Sequence, residues 1–151
     1  MEYLIVKTIG IDFTIKCLGI LSTSVKSIYN LASNLKATEN MEIKKIIKEL
    51  DIDNDVILID SLLQEINIEK IHSKTIGLSL NNIKETILEI EKTFDEINKR
   101  ETYNNSLWYG KSMRSYKFDD LIESLKILKV SLNNRKRNLF ELIKIKNYIE
   151  L

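Results

Sequence analysis

The sequence predicts an all-α protein, an antiparallel four-helix bundle with up-down-up-down topology whose second helix is broken near Asp51 to Asp55. Two heptad patterns and the lack of proline support this fold class. Spacings of four and three keep the apolar residues of each pattern on one helix face, and no proline interrupts the chain. The first pattern comprises Ile76, Leu80, Ile83, Ile87, Ile90, Phe94 and Ile97, and the second Phe118, Leu121, Leu125, Leu128, Leu132, Leu139 and Leu142.

The length and composition indicate one helical-bundle domain spanning residues 1–151. A chain of this size buries about 68–70% of its unfolded surface without needing a covalent staple. With a single cysteine, Cys17, and a single histidine, His72, the sequence offers no disulfide pair and no zinc-ligand spacing. We therefore expect no cofactor or metal, and an intracellular, cytoplasmic location. The opening segment does not fit a signal peptide, because Glu2 and Asp12 are acidic.

The first 36 residues are the most apolar part of the chain and allow two interpretations. From Ile9 to Lys16 apolar and polar residues alternate, as in a strand, whereas from Cys17 onward the spacing is helical. We predict a helix throughout, since a strand would need a partner and only residues 56–59 resemble one. Such a helix would be about 50 Å long, and Gly10 and Gly19 are the places where it could bend.

This opening helix carries more apolar surface than one face of a bundle helix can bury. Ile5, Ile9, Phe13 and Ile20 are expected to project on several sides. A helix that is apolar all round either lies in a core or contacts lipid or a partner. Its uncharged runs are at most nine residues long, too short to cross a bilayer. We predict burial in an oligomer, and the alternative is an interfacial helix that perturbs membranes.

Capping residues predict where the shorter helices begin. Thr38 or Asn40 can cap a helix from Met41 to Leu50, and Ser115 can cap the last helix. The carboxylates between Asp51 and Asp55 resemble the start of a calcium-binding loop, but the later positions that need glycine and glutamate hold other residues. We assign Asp51 or Asp53 instead to capping a helix over residues 56–71. Its expected inward residues are Ile59, Leu62, Leu63 and Ile66, and Asp119 and Asp120 are expected in the first turn of the last helix.

Arg135 occupies a position where the second heptad pattern calls for an apolar residue. An arginine at such a position either forms an interface ion pair or sets the register between helices. We expect Glu65 or Glu69 to be its partner.

Aromatic and basic residues near the C-terminal third allow a nucleic-acid interpretation. Basic side chains track phosphates and aromatic rings stack on bases. We prefer a connector that folds its aromatic rings over the end of the bundle. Residues 102–151 have a net charge of +5 and residues 39–101 one of −6, so the two parts can neutralise each other. The residues of the possible patch are Trp108, Tyr109, Arg114, Lys117, Lys136 and Arg137.

The apolar opening helix, the Trp108-Tyr109 pair followed by Arg114 and Tyr116, and the Leu-rich closing helix resemble the four-helix domains of the HeLo and mixed-lineage-kinase-domain-like type. That resemblance implies oligomerisation and perturbation of membranes, with a membrane-peripheral location. The richness in Ile, Lys and Asn is similar to that of uncharacterised proteins of AT-rich large DNA viruses, which implies a virion or host-interaction role.

No enzyme motif is present in the sequence. The four scattered glycines do not form a phosphate-binding loop, and the sequence has no paired His and Cys and no cluster of His and carboxylates at metal spacing. We therefore expect a non-enzymatic helical interaction protein that acts as a homo-oligomer or through a protein partner. Membrane perturbation and nucleic-acid binding are the alternatives, and no small-molecule substrate is evident.

Overall fold

The computed structural model describes residues 2–149, apart from the side chains of residues 2–9, 68, 71, 111, 112 and 147–149. The described residues form helices and connecting turns, with no strand among them. The residues around Ile9 to Lys16 are helical, so the predicted all-α class is confirmed. The helices are α1 (Glu2–Lys36), α2 (Met41–Leu50), α3 (Ile52–Glu65), α4 (Ile68–Ile71), α5 (Lys74–Ser106), α6 (Lys111–Arg114) and α7 (Asp119–Ile149).

Helix α5 organises the bundle, and it packs against both α1 and α7. Helix α1 also packs against α2 and α3, so that α2 and α3 together form the fourth long piece. Hydrogen bonds from Arg100 to Asp120 and from Arg135 to Thr86 show that α5 and α7 run antiparallel. All seven apolar positions of the first heptad pattern are buried, as predicted.

The piece formed by α2 and α3 is broken at Asp51, within the predicted region. Asp51 has a left-handed backbone conformation with φ 54°, and its N–H donates to the Ile47 carbonyl at 3.2 Å, which ends α2. Aspartate tolerates this conformation better than most residues. At the other end of α2, Asn40 accepts a hydrogen bond from the Ile43 N–H at 3.2 Å, so one of the two predicted caps is confirmed.

The prediction for the following helix was wrong in its start and its end, although Asp51 does occupy the N-cap position. Helix α3 begins at Ile52 rather than Val56, and the Asp51 side chain makes no capping hydrogen bond to it. Helix α3 ends at Glu65 rather than Ile71, and its buried apolar stripe consists of Ile52, Val56, Ile59 and Leu63. Leu62 is one position off this stripe and is exposed.

Asp53 lies inside the bundle instead of capping a helix end. Its side chain is 3% exposed, and its Oδ2 accepts a hydrogen bond from Lys36 Nζ at 2.5 Å. Its Oδ1 has no hydrogen-bond partner among the described residues. One lysine at the end of α1 therefore holds a buried carboxylate in the first turn of α3.

The opening helix continues without interruption through Gly10, from Glu2 to Lys36. A Cβ atom on Gly10 would lie 2.9 Å from the His72 Nε2 atom. A larger residue here would require the His72 side chain to shift, so glycine lets the turn between α4 and α5 pack closely against α1. Gly19 faces open space.

Asp55 faces α7 and should make stability depend on pH. Burial raises the pKa of its carboxyl above 3.8, and the Lys129 ammonium at 3.8 Å only partly opposes this. In the window between 3.8 and the raised pKa the folded state binds more protons than the unfolded state, so stability falls as the pH rises. We expect Asp55→Asn to gain stability relative to the wild type from acid to neutral pH in urea denaturation.

Asp120 provides the opposite case as a control. The hydrogen bond from Arg100 lowers the pKa of Asp120, so its stabilising contribution is present at neutral pH and is lost as the pH falls through that lowered pKa. Asp120→Asn should therefore lose stability relative to the wild type over the same rise in pH. The same direction of change in both variants would contradict the assignment.

Candidate interaction surfaces

The connector between α5 and α7 carries the most exposed large apolar side chains of the described residues. Leu107 directly follows α5 and is buried, but Trp108 is 87% exposed and Met113 is 91% exposed. Tyr109 is 56% exposed. The expectation that these aromatic rings fold over the end of the bundle was wrong. We call Trp108, Tyr109, Met113 and Arg114 the tip.

Contacts within the connector give the tip a defined shape. The rings of Trp108 and Tyr109 meet edge to face with centroids 4.4 Å apart, and the Arg114 guanidinium lies 5.1 Å from the Tyr109 centroid. Gly110 has φ 66°, a conformation that favours glycine, and its carbonyl accepts hydrogen bonds from the N–H groups of Met113 and Arg114. The rings are thus arranged by local contacts without burial in the core.

Polar and aromatic contacts attach the tip to the bundle. We call the residues that make them the stem: Arg100, Tyr103, Asn104, Tyr116 and Asp120. The Asn104 amide donates to the Tyr116 carbonyl at 3.0 Å and accepts from the Tyr116 N–H at 2.8 Å. The Tyr116 ring packs on Tyr103 at 5.0 Å and lies 5.8 Å from the guanidinium carbon of Arg100. Arg100 in turn pairs with Asp120 in the first turn of α7 at 2.9 Å. The stem thus fixes the connector to the end of α5 and to the first turn of α7.

The same stem explains why Ser115 does not cap the last helix. Asn104 engages the backbone of Tyr116, and α7 begins only at Asp119, where the Ile122 N–H donates to the Phe118 carbonyl at 2.9 Å. Ser115 lies four residues before that start, too far for a capping residue. Asp119 and Asp120 do occupy the first turn, as predicted.

A cleft of about 920 Å³ opens beside the stem, between α2, the end of α5 and the start of α7. Its apolar part consists of two buried and two half-buried side chains: Ile43, Ile122, Ile46 and Phe118. Its lining holds five carboxylates and two ammonium groups, a net charge of −3. The charged residues are Glu39, Glu42, Glu101, Asp119, Glu123, Lys117 and Lys126, and the polar ones Asn40, Asn104, Asn105, Ser115 and Tyr116.

Glu101 is a buried member of the cleft that the sequence analysis did not single out. It is 7% exposed, and its two carboxylate oxygens accept hydrogen bonds from Thr38 Oγ1 at 2.8 Å and from Asn40 Nδ2 at 3.4 Å. The heptad spacing offered a sign of this, since Glu101 lies seven residues after Phe94. Glu101 ties the turn between α1 and α2 to α5 and so shapes one wall of the cleft.

The predicted aromatic and basic patch does not come together as one surface. Arg114 and Lys117 lie on the connector, whereas Lys136 and Arg137 lie on α7. Nineteen residues of chain separate Lys117 from Lys136, which corresponds to about 28 Å along a helix. The described structure therefore has two separate basic groups.

Arg135 faces α5 and does not use the partners expected for it. Its guanidinium donates to the Asn82 carbonyl at 2.7 Å and to Thr86 Oγ1 at 2.5 Å. Thr86 is buried, so this arginine fills a polar gap in the heptad contact between α5 and α7. Glu65 and Glu69 are exposed, at the end of α3 and in α4, and neither is a hydrogen-bond partner of Arg135.

Helix α1 leaves part of its apolar surface exposed. Phe13 is 42% and Ile20 is 44% exposed, and the two lie seven residues apart on one flank, with Lys16 exposed between them. The side chains of Ile5 and Ile9 lie outside the described residues. None of the helices in the described part of the chain has an apolar stretch long enough to cross a bilayer.

Comparison of the chain with protein-family models, curated proteins and solved structures finds no match to any of them. The resemblances to HeLo-type domains and to viral proteins therefore stay predictions. Among the described residues there is no group of three or more His, Cys, Asp or Glu side chains that could hold a metal ion.

Proposed function

We propose that this chain is a non-enzymatic interaction protein that self-associates through the tip. The observation that carries the proposal is the exposure of Trp108 and Met113, at 87% and 91%, on a stem held by hydrogen bonds. Tryptophan, tyrosine and arginine are enriched among the residues that dominate binding energy at protein interfaces. A preformed arrangement of such side chains loses little conformational freedom on binding.

Charge favours a protein partner over nucleic acid at this end of the bundle. Lys117 lines a cleft with a net charge of −3, and Arg114 directly precedes Ser115, which also lines it. A surface with this net charge would repel a phosphate backbone. Lys136 and Arg137 are too distant to extend the basic surface of the tip. The aromatic and basic residues of the connector therefore lie beside an acidic surface, which is unfavourable for binding nucleic acid.

The tip is also a stronger candidate than the exposed flank of α1. Phe13 and Ile20 are less than half exposed, and the charged Asp12 and Lys16 lie beside them. Trp108 and Met113 present about twice that exposed fraction. This contrast supports the tip as the contact surface and leaves membrane perturbation through α1 as the alternative.

Sedimentation at a series of protein concentrations tests the proposal. We expect the wild type to associate, and we expect Trp108→Ala with Met113→Ala to weaken association by at least about 30-fold, since truncating an anchor at an interface centre costs about 2 kcal/mol or more. Tyr29→Ala with Leu58→Ala is the matched control, because these side chains are 49% and 62% exposed on other helices. The control should associate like the wild type.

Fluorescence gives a second measurement on the unmodified chain. Trp108 is the only tryptophan in the sequence, so its emission should shift to shorter wavelength as association buries it. A wild type that stays monomeric up to millimolar concentration would contradict self-association. Equal loss in the tip variant and the control would contradict the role of the tip.

A further inference from the structure

We propose that the cleft of one copy receives the tip of a second copy, and that the exchange is reciprocal, so that the chain forms a two-fold dimer. This inference rests on the proposed function and names the surface that the tip contacts. The occupant of the cleft is therefore a second copy of this chain.

The first argument is the opposite charge of the two surfaces. The tip contains Arg114 and no carboxylate, and Lys111 adjoins it in the sequence. The cleft has a net charge of −3, with exposed carboxylates at Glu39, Glu42 and Glu123. Complementary charges of this kind direct partners into one orientation and speed their association.

The second argument is the match of apolar surface. The cleft combines its carboxylates with apolar side chains, including the half-buried Ile46 and Phe118. The tip combines its arginine with Trp108 and Met113, both almost fully exposed. An apolar centre surrounded by charged groups is the usual anatomy of a specific protein interface.

The third argument is that the tip does not fill the cleft of its own chain. Tyr116 and Lys117, at the base of the connector, line the cleft, but Trp108 and Met113 do not. The hydrogen bonds between Asn104 and Tyr116 hold the base in place, and the tip stays exposed. A second copy can reach the cleft where the chain's own tip does not.

Both surfaces belong to the same end of the bundle, where α1 and α5 end and α2 and α7 begin. In a two-fold interface both copies use the same patch. The tip of the first copy therefore contacts the cleft of the second, and the tip of the second contacts the cleft of the first. Such a pairing closes at two copies, whereas a head-to-tail contact between separate surfaces would continue into a ring or filament.

Exchange of charges between the two surfaces tests the pairing. One variant is Arg114→Glu, which reverses the charge of the tip. The other is Glu39→Lys with Glu123→Lys, which makes the lining of the cleft net positive. Each variant alone brings like charges together, and we expect its dimer to dissociate at least about tenfold more readily in sedimentation.

An equimolar mixture of the two variants should restore the dimer. In the mixed dimer the acidic tip meets the basic cleft, and the unchanged Arg114 meets the unchanged acidic cleft. Lys45→Glu is a matched charge reversal on α2, where its side chain is 76% exposed and does not line the cleft. This control should dimerise like the wild type, and circular dichroism should show equal helix content in all variants.

The outcomes separate this inference from the proposed function. A wild-type dimer that neither charge reversal weakens, or a mixture that does not recover, would overturn the pairing of tip and cleft while self-association stands. Wild-type oligomers that grow beyond two copies would also overturn the two-fold arrangement. A monomeric wild type would contradict both proposals. If a charge variant loses helix content, acrylamide quenching of Trp108 emission is compared instead between the monomeric and the dimeric wild type. Weaker quenching in the dimer supports coverage of the tip, and equal quenching would overturn it.

Discussion

Phe94→Ala is expected to lower the free energy of unfolding by about 3–5 kcal/mol, the usual cost of truncating a buried phenylalanine. Phe94 is 1% exposed and is the largest of the fully buried side chains. It lies on α5, the helix that packs on both α1 and α7, so the cavity forms where the bundle can collapse least. Urea denaturation followed by circular dichroism measures the loss.

Leu78→Ala is the matched control on the same helix. Leu78 is 54% exposed, and surface substitutions usually change stability by less than about 0.5 kcal/mol. The control should therefore unfold close to the wild-type midpoint. Similar losses for Phe94→Ala and Leu78→Ala would show that the predicted heptad face of α5 is not the core of the bundle in solution.

Lys36→Met is expected to lower the free energy of unfolding by about 3 kcal/mol, because removing one partner leaves a buried charge uncompensated. The affected charge is Asp53, whose side chain is 3% exposed and whose described ionic partner is Lys36 at 2.5 Å. The methionine keeps the length of the side chain, so the change mainly removes the ammonium group. A drop of roughly 6–12 °C in melting temperature corresponds to this loss in a domain of this size.

Two further variants separate the charge from the packing. Lys36→Met with Asp53→Leu replaces the pair by apolar side chains and should recover most of the lost stability. Lys26→Met changes an exposed lysine on the same helix and should have little effect. If Lys36→Met cost no more than Lys26→Met, the ion pair between α1 and α3 would not contribute as described.

The sequence contained the residue types of the candidate site but not their arrangement. The Trp108-Tyr109 pair and Arg114 stood out as aromatic and basic residues in the least periodic segment. Whether a connector covers the end of a bundle or projects from it depends on which partners its backbone finds, here Asn104 with Tyr116. Neither the exposure of Trp108 nor the acidic cleft beside it follows from local spacing.

What the sequence alone determined is the set of long helices and the faces that they bury. A heptad pattern acts through spacing within one helix, so the buried positions of α5 and the antiparallel α7 could be predicted from residues close together in the chain. The cap at Asn40 and the break at Asp51 are equally local. These features depend on neighbouring residues in the chain and not on how the helices pack against one another.

Only the tertiary structure decided how the charged residues at core positions are satisfied. Asp53, Glu101 and Arg135 each face the interior, and their partners Lys36, Thr38 and Thr86 lie 17, 63 and 49 residues away in the sequence. A buried polar group must be paired, but local spacing does not select which distant donor or acceptor reaches it. The packing of α1 and α7 against α5, and of α3 against α1, makes that selection, because it alone brings those groups within hydrogen-bond distance.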